Sequence, residues 1–329
     1  MSSASPVLIT GGAGFVGLNL AEQLFARGRR VVLFDVGSPP AGTLEELGAE
    51  HVTGDVRDEP LLTDVLRRHG VEHLIHGAAI TAGREREKTQ AARVAYVNVL
   101  GTIAALEAAR RAGVRRVLVL GTGSVYGASA FAGEELDEAR HLPAPETLYG
   151  ITKFAAERIA LRYRRLWDLD VVVARLAMVF GRWEYDSGVR DTLSLLLLVT
   201  EIAERGGDVV LPTQRFDDWI YGPDVARALV SLLDAPSLRH EVYHVATGLR
   251  WTLEDWCAGL RGLFPRFTFR TASAEGAATI GHAGALGRAP FNTRRLREDT
   301  GWEPAYTLER ALEDFVAWRR AHPAWKSAR

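Results

Sequence analysis

Residues 7–24 read VLITGGAGFVGLNLAEQL, and this stretch decides the fold. A short apolar run leads into a glycine-rich turn, which leads into an amphipathic helical pattern. The spacing of Gly12, Gly14 and Gly17 matches the fingerprint of a dinucleotide-binding turn, and Gly11 adds a further Gly-x-x-Gly step. Glycine lets the backbone approach a pyrophosphate, which the amide-rich end of the following helix stabilises. The stretch therefore predicts the strand, turn and helix that open a cofactor-binding domain.

A carboxylate stands at the end of the second predicted strand. Asp35 closes the run VVLFD, at the offset where an acidic residue accepts hydrogen bonds from the ribose hydroxyls of a dinucleotide. A carboxylate here repels a 2′-phosphate, so the sequence favours NAD over NADP. From these residues alone, the alternative is a structural turn in an α/β protein that binds no nucleotide.

Apolar runs alternate with amphipathic helical patterns over the first part of the chain. The six runs begin at Val7, Val31, His51, Val71, Val114 and Leu169. Near-continuous apolar strands separated by helices are typical of a parallel sheet covered on both faces. We therefore predict an α/β fold with a Rossmann-type doubly wound parallel sheet.

The regular alternation stops after Gly181, which indicates a second, smaller unit. The run EVYHVAT from Glu241 looks like a return to the first sheet, and the Gly/Ala-rich residues 271–290 are predicted as a long loop. The sequence thus predicts a Rossmann domain and a discontinuous C-terminal substrate domain. The NAD-binding domain comprises residues 1–181 and 214–248, and the substrate-binding domain comprises residues 182–213 and 249–329.

The composition describes a globular chain with balanced charge. Of 329 residues, 40 are Lys or Arg and 41 are Asp or Glu, so the formal net charge is −1. This balance offers no electrostatic footprint for nucleic acid or an anionic membrane. Cys257 is the only cysteine, which excludes an intrachain disulfide. The nine histidines are scattered and lack ligand-like neighbours, so no metal site is predicted. We expect a cytoplasmic protein without nucleic-acid or membrane partners.

Tyr149 and Lys153 lie four residues apart in the helical pattern LYGITKFAAE and therefore share one face. The spacing alone leaves two interpretations open. The pair is either two solvated side chains, or a phenol held beside an ammonium that stabilises phenolate and lowers the phenol pKa from about 10.

Nine motifs in a fixed order decide between these interpretations. Together they resemble the extended short-chain dehydrogenase/reductase family, the group of NAD-dependent sugar epimerases, dehydratases and related dehydrogenases. The motifs are TGGAGFVG, GDVRD, HGAA, VNVLGT, GTGSVYG, YGITK, RLAMVFG, DDWIYGPDVARA and TGWEP, and they cover nearly the whole chain.

The resemblance implies that Tyr149 and Lys153 are catalytic. Tyr149 would take the proton from a substrate hydroxyl while hydride leaves the carbon for nicotinamide. Lys153 would favour the phenolate and hold the nicotinamide ribose. The motif GTGSVYG places the third catalytic group, a hydroxyl that orients the substrate oxygen, on Thr122.

The resemblance also assigns residues to the cofactor. Asn98 is implied near the nicotinamide, although it is equally explained as a brace between the active-site strands. The remaining cofactor residues come from the glycine-rich loop, the adenine site and a small-residue passage, and they are Gly11, Gly14, Phe15, Val16, Gly17, Asp55, Val56, Gly77, Ala78 and Ala79.

Three positions depart from the nucleotide-sugar members of the family. Met178 replaces the Asn that meets the sugar or diphosphate, Asp217 replaces an Arg that binds the diphosphate, and HAGA at 282–285 replaces a segment that supplies a second Arg. Arg215 compensates only if its loop shifts. Since a charged hydrogen bond contributes about 1.5–3 kcal/mol to binding, the loss of these anchors strongly weakens the binding of a nucleotide-sugar. We therefore expect a dehydrogenase of a smaller sugar-like substrate.

The loop GRWEYDSGVRD supplies candidate substrate contacts. With Arg182 or Arg190 in the pocket, a sugar acid or another carboxylate becomes an attractive substrate. The full set of predicted substrate contacts is Ser124, Met178, Arg182, Glu184 and Arg190, and Tyr185 lies in the same loop; each loop residue is alternatively a solvated side chain.

Other functions remain open from the sequence. The first alternative is a nucleotide-sugar 4-epimerase resembling UDP-glucose 4-epimerase with tightly bound NAD. A dehydratase requires an acidic pair after Thr122, where the chain has Gly123 and Ser124. A non-catalytic NAD sensor conflicts with the intact Thr, Tyr and Lys set. The family commonly forms two-fold dimers through the helices near 88–112 and 149–168, so a homodimer is expected.

Overall fold

All six predicted apolar runs form strands of one sheet in this computed structural model, which describes residues 5–131, 135–212, 216–273, 278–280 and 287–326. A seventh strand, from the run at 241–247, joins them as expected. In chain order the strands are β1 (Val7–Thr10), β2 (Val31–Asp35), β3 (Ala49–Thr53), β4 (His73–His76), β5 (Arg116–Thr122), β6 (Asp170–Leu176), β7 (Met178–Phe180), β8 (Asp208–Leu211), β9 (Phe216–Asp217), β10 (Trp219–Tyr221), β11 (Val242–Val245), β12 (Trp251–Thr252) and β13 (Thr268–Thr271).

The large sheet has the strand order β11-β6-β5-β4-β1-β2-β3, and every neighbouring pair is parallel. The chain moves outward from β1 to β3 and then crosses back to β4 on the other side of β1. The connections that leave the carboxyl ends of β1 and β4 therefore run to opposite sides of the sheet, and this is a topological switch point, where doubly wound sheets bind their ligands. The predicted Rossmann-type fold is confirmed.

Helices cover both faces of the sheet. In chain order they are α1 (Phe15–Phe25), α2 (Thr43–Leu47), α3 (Glu59–Arg68), α4 (Arg84–Ala95), α5 (Gly101–Ala112), α6 (Leu148–Trp167), α7 (Leu195–Glu204), α8 (Gly222–Asp234), α9 (Leu253–Leu263), α10 (Arg294–Thr300) and α11 (Leu308–Ala321). A π-helical turn, Tyr96–Leu100, joins α4 to α5. Within the described ranges, the helical segment 84–112, which is kinked at Gln90, is the one segment long and apolar enough to span a membrane, and 44% of its most apolar window is buried inside the protein.

Alternating side chains along the strands build two cores. On β1, Val7 and Ile9 face the layer of α1 and α8, whereas Leu8 faces the layer of α3 and α5. A third apolar cluster gathers α7, α9 and α11 around Trp256 and Phe315. It also includes Phe180 from β7, so it begins where the large sheet ends. The predicted domain boundaries stay a prediction.

Candidate active site

One cavity of about 910 Å³ runs along the carboxyl ends of the strands. The glycine-rich loop and Asp35 line one part of it, and Tyr149 and Lys153 line another. It passes Gly77, Ala78 and Ala79 after β4, as expected of residues that leave room for a ligand. The cavity therefore brings the predicted cofactor residues and the predicted catalytic residues into one continuous site.

The glycine-rich loop is closely packed against its surroundings. A Cβ on Gly17 would lie 2.6 Å from the carbonyl oxygens of Gly11 and Gly12, and Gly11 itself has a φ of +70°. Gly14 caps α1 without any side-chain hydrogen bond to the first turn. The first amides of α1 are thus left for a ligand, and Gly14, Phe15, Val16 and Gly17 line the cavity there. This end of the site fits a dinucleotide pyrophosphate.

Asp35 is held in place by backbone donors. The N–H of Ala13 donates to Oδ2 over 3.1 Å, and the N–H of Gly37 donates to Oδ1 over 3.2 Å. Burial raises the pKa of the Asp35 carboxyl, while these backbone donors act in the opposite direction. Each oxygen keeps a further lone pair, so the carboxylate can still accept from ribose hydroxyls.

Asp55 and Val56 line the cavity beyond Asp35. The Asp55 carboxylate is paired with Arg57, with Nη2 and Oδ2 2.6 Å apart, and this hydrogen bond lowers the pKa of the Asp55 carboxyl. Asp55 is therefore present as a carboxylate beside the place predicted for adenine.

Tyr149 lies in the first turn of α6. Thr147 caps this helix, because its Oγ1 accepts from the N–H of Gly150 over 3.1 Å, and this cap fixes the direction of the first turn. The Tyr149 hydroxyl faces the hydroxyls of Thr122, at the end of β5, and of Thr81. Burial raises the pKa of the phenol, and the hydroxyls of Thr122 and Thr81 act in the opposite direction. Thr122 and Tyr149 are thus neighbours in the cavity, and their catalytic roles stay a prediction.

Lys153 lies one turn further along α6 and is only 3% exposed. Burial lowers the pKa of its ammonium to about 8, and the charge of Glu157 acts in the opposite direction. Glu157 is itself bound by Arg175, with Nη2 and Oε1 2.6 Å apart. Because Arg175 partly neutralises Glu157, the carboxylate only partly stabilises the Lys153 ammonium. Burial at this site therefore shifts the equilibrium towards the neutral amine.

Asn98 is fully buried and is not among the residues that line the cavity. Its Oδ1 accepts from the N–H of Ile80 over 2.8 Å, and its Nδ2 donates to Ile80 O and to Thr152 Oγ1. The π-helical turn directs Asn98 towards these partners. This geometry fits the brace between the strand end after β4 and helix α6.

Two arginines from different segments lie in the cavity near Tyr149. Both Arg190 and Arg288 line it, and their charges favour the Tyr149 phenolate. Arg190 Nη1 lies 2.8 Å from Glu184 Oε1, an ion pair in which this nitrogen makes no hydrogen bond. The Arg190 guanidinium also stands 5.1 Å from the centre of the Phe15 ring. Arg190 is therefore a cation at the junction of the cofactor and catalytic parts.

Arg182 does not have the place that the sequence suggested. It is absent from the cavity lining and instead binds Asp314 through two hydrogen bonds and Glu22 Oε1 over 2.8 Å. Glu184 is also behind the wall, where it accepts from the N–H and the hydroxyl of Ser194. The predicted substrate contacts at Arg182 and Glu184 do not fit these positions, because both side chains are engaged in tertiary ion pairs and hydrogen bonds.

Ser124 and Met178 line the cavity, and their contact with the substrate stays a prediction. Asp217 is 2% exposed and accepts a long hydrogen bond, 3.4 Å, from the N–H of Arg288. Arg215 and the segment 282–285 lie outside the described residues. Among the described residues, no group of three or more His, Cys, Asp or Glu side chains is placed to hold a metal ion.

Thr81 and Arg288 are the residues that sequence reasoning missed. Thr81 follows the small-residue passage after β4 and is aligned with Arg190 through a bridge between their backbones. No local signal in the sequence marks this contact, because it joins segments more than one hundred residues apart. Arg288 lies in the Gly/Ala-rich stretch that is predicted as a loop. A single cation in such an apolar stretch is the sequence feature that could have marked it as a site residue.

Comparisons with known proteins agree with this geometry. The model of the NAD dependent epimerase/dehydratase family matches residues 7–246. The chain is 27% identical to a dTDP-glucose 4,6-dehydratase of Xanthomonas campestris, covering 97% of this chain and 94% of the relative. It is 30% identical to a UDP-glucose 4-epimerase of Mycolicibacterium smegmatis, covering 95% and 98%. A solved structure of MoeE5 with UDP-glucuronic acid and NAD superposes with a TM-score of 0.77 at 28% identity, covering 96% and 99%.

Proposed function

Because this chain belongs to the NAD dependent epimerase/dehydratase family, we propose that it oxidises a secondary alcohol of a sugar-like substrate, with a sugar acid preferred. The observation that carries the proposal is the meeting of Tyr149, Thr122 and Lys153 in the same cavity as the glycine-rich loop. This set is what acid–base catalysis beside a nicotinamide requires.

NAD, when bound, supplies the carbon that accepts hydride from the substrate and can return it. The protein's own groups move the proton. Tyr149 Oη takes the proton of the substrate hydroxyl, and Thr122 holds that oxygen in reach by hydrogen bonding. Lys153 supplies positive charge one turn away, and it favours the phenolate once it is protonated. Asp35 selects NAD over NADP, because the 2′-phosphate of NADP would lie against the Asp35 carboxylate and be repelled by it.

The proposed preference for an acid rests on Arg190 and Arg288. The two guanidinium groups lower the pKa of Tyr149 by their charge. The same charges create a positive potential near the Tyr149 hydroxyl, where the substrate carbon that is oxidised must lie. A carboxylate on the sugar would be attracted to them, and Arg binds carboxylates in paired hydrogen bonds. Met178 offers no hydrogen-bond donor in the same cavity.

A nucleotide-sugar 4-epimerase is the second candidate. It is favoured by the similarity over nearly the whole chain to a UDP-glucose 4-epimerase and by Arg288, a cation that could take a phosphate. In that case the same Tyr149 would serve both the removal and the return of hydride. Met178 and the buried Asp217 argue against it, since they replace two groups that bind the nucleotide.

A substrate panel separates the two candidates. Free sugars, sugar acids, UDP-glucose and UDP-glucuronic acid are incubated with NAD, and reduced cofactor is followed by absorbance while products are isolated. The proposal expects stoichiometric NADH with a sugar acid and negligible calorimetric binding of UDP. Micromolar binding of UDP, or interconversion of UDP-sugars without net formation of NADH, would contradict the dehydrogenase and favour the 4-epimerase.

We also propose a homodimer through the helices α4–α5 and α6. Tyr96, Leu100 and Ile151 are each about half exposed on these helices, at 52%, 49% and 47%, and would be covered in such a dimer. Sedimentation of wild type and of an Ile151→Glu variant tests this surface; an unchanged monomer in both contradicts it. The cytoplasmic location stays a prediction.

A further inference from the structure

Tyr185 connects the C-terminal part of the chain to the glycine-rich loop. Its hydroxyl donates to Ala13 O over 2.9 Å, and the N–H of the same Ala13 donates to Asp35 Oδ2 over 3.1 Å. Ala13 therefore stands between a phenol and the carboxylate that faces the ribose. Burial, and next the charge of Asp35, raises the pKa of Tyr185 to about 12, so that the hydroxyl remains a donor at neutral pH.

An aromatic cluster of Trp183, Tyr185, Trp318 and Trp325 supports this contact from behind. The Tyr185 ring meets Trp325 edge-to-face, with centroids 5.2 Å apart, and Trp325 also contacts Trp183 at 5.1 Å. Trp325 is 7% exposed and does not line the cavity. Any effect of Trp325 on a bound cofactor must therefore pass through Tyr185 or through the helices that the cluster touches.

The aromatic cluster has a second connection to the cofactor end. Trp183 Nε1 donates to Glu22 Oε2 on α1 over 2.7 Å, and α1 is the helix whose first turn follows the glycine-rich loop. Trp183 has a φ of +65°, a left-handed conformation that is strained in a non-glycine residue. Such a residue persists where the surrounding packing determines it, and here that packing is the cluster itself.

We propose that Tyr185, backed by Trp325, is a positioning residue for NAD. It holds the Ala13 carbonyl, so that the N–H on the other side of the same residue fixes one oxygen of Asp35 and leaves the carboxylate turned towards the ribose hydroxyls. Tyr185 was expected in the substrate loop, and the structure gives it a different task at the opposite end of the site. Selection of NAD by Asp35 thereby depends on the C-terminal segment Pro323–Lys326.

The first test is the dissociation constant of NAD for Tyr185→Phe, measured by calorimetry. The ring and its contact with Trp325 remain, and only the hydrogen bond to Ala13 is lost. One neutral hydrogen bond corresponds to about a fivefold to tenfold weaker affinity. Tyr163→Phe is the matched control, because its hydroxyl donates to Glu107 over 2.8 Å and its side chain does not line the cavity. The control should bind NAD as wild type does.

The second test separates positioning from a general loss of stability. In a double-mutant cycle with Asp35→Asn, the loss from Tyr185→Phe should shrink to less than twofold, since the phenol acts through that carboxylate. Trp325→Leu should weaken NAD in wild type and show the same reduced effect beside Asp35→Asn. Fully additive losses, or wild-type NAD affinity in both Tyr185→Phe and Trp325→Leu, would overturn the proposal.

Discussion

Replacing Lys153 by methionine should stabilise the nucleotide-free protein while it destroys activity. The lysine is 3% exposed, and burial lowers the pKa of its ammonium from 10.5 to about 8. A difference of this size corresponds to about 3 kcal/mol of unfolding free energy, because each pKa unit is worth about 1.4 kcal/mol. The charged lysine costs the native state this amount at neutral pH, where both folded and unfolded chains bind the proton.

The sign of the pH dependence follows from the proton balance. Between pH 8 and pH 10.5 the unfolded chain still binds the proton that the folded protein has lost, so wild-type stability gains with rising pH from this group. Between pH 7 and pH 9.5 the gain is roughly 2 kcal/mol. The Lys153→Met variant lacks this pH-dependent gain in unfolding free energy. The difference in unfolding free energy by which it exceeds wild type should therefore shrink by that amount between pH 7 and pH 9.5.

Urea unfolding at a series of pH values measures the difference directly. Lys88→Met is the control, since Lys88 is an exposed lysine whose side chain is 56% accessible and paired with Glu85. Its unfolding free energy should follow wild type at every pH. A Lys153→Met variant that is less stable than wild type at pH 7, or whose advantage does not change with pH, would refute the reasoning.

Three further predictions concern ligands. Asp35→Ser should weaken NAD and relax discrimination against NADP in calorimetric titrations; tighter NADP than NAD binding in wild type would contradict the role of the carboxylate. The affinity of the wild-type protein for NAD should fall above pH about 8, because the Lys153 ammonium that is proposed to hold the ribose then loses its proton. An affinity that does not change up to pH 10 would speak against that role. Arg288→Ala should raise KM about tenfold or more for a sugar acid and much less for its neutral analogue, whereas Arg182→Ala should treat the two substrates alike.

The sequence predicts the sheet well because its strands are buried on both faces. Val7, Leu8 and Ile9 are apolar without alternation, and Gly12 and Gly17 are required by carbonyl oxygens three to six residues before them. Such features depend on near neighbours in the chain, so a pattern suffices. The family resemblance is confirmed by a model match to residues 7–246 and by relatives that span nearly the whole chain.

The substrate side is less accessible to sequence reasoning because its contacts are long-range. Arg182 and Arg190 stand eight residues apart in one loop, yet Asp314 on α11 draws Arg182 out of the site while Arg190 stays in the cavity. Nothing local distinguishes the two guanidinium groups. Tyr185 is a similar case, since its partner Ala13 lies 172 residues away.

The central claim is that Tyr149 moves the proton that accompanies hydride transfer, and Tyr149→Phe tests it most directly. This change removes one hydroxyl at the contact with Thr122 and Thr81 and leaves the glycine-rich loop untouched. With a substrate identified from the panel, turnover should fall about 10²–10⁴-fold, the usual contribution of a general acid–base group. The NAD dissociation constant should stay within about twofold of wild type, because no ribose contact of the phenol is proposed. Wild-type turnover in Tyr149→Phe would contradict the account.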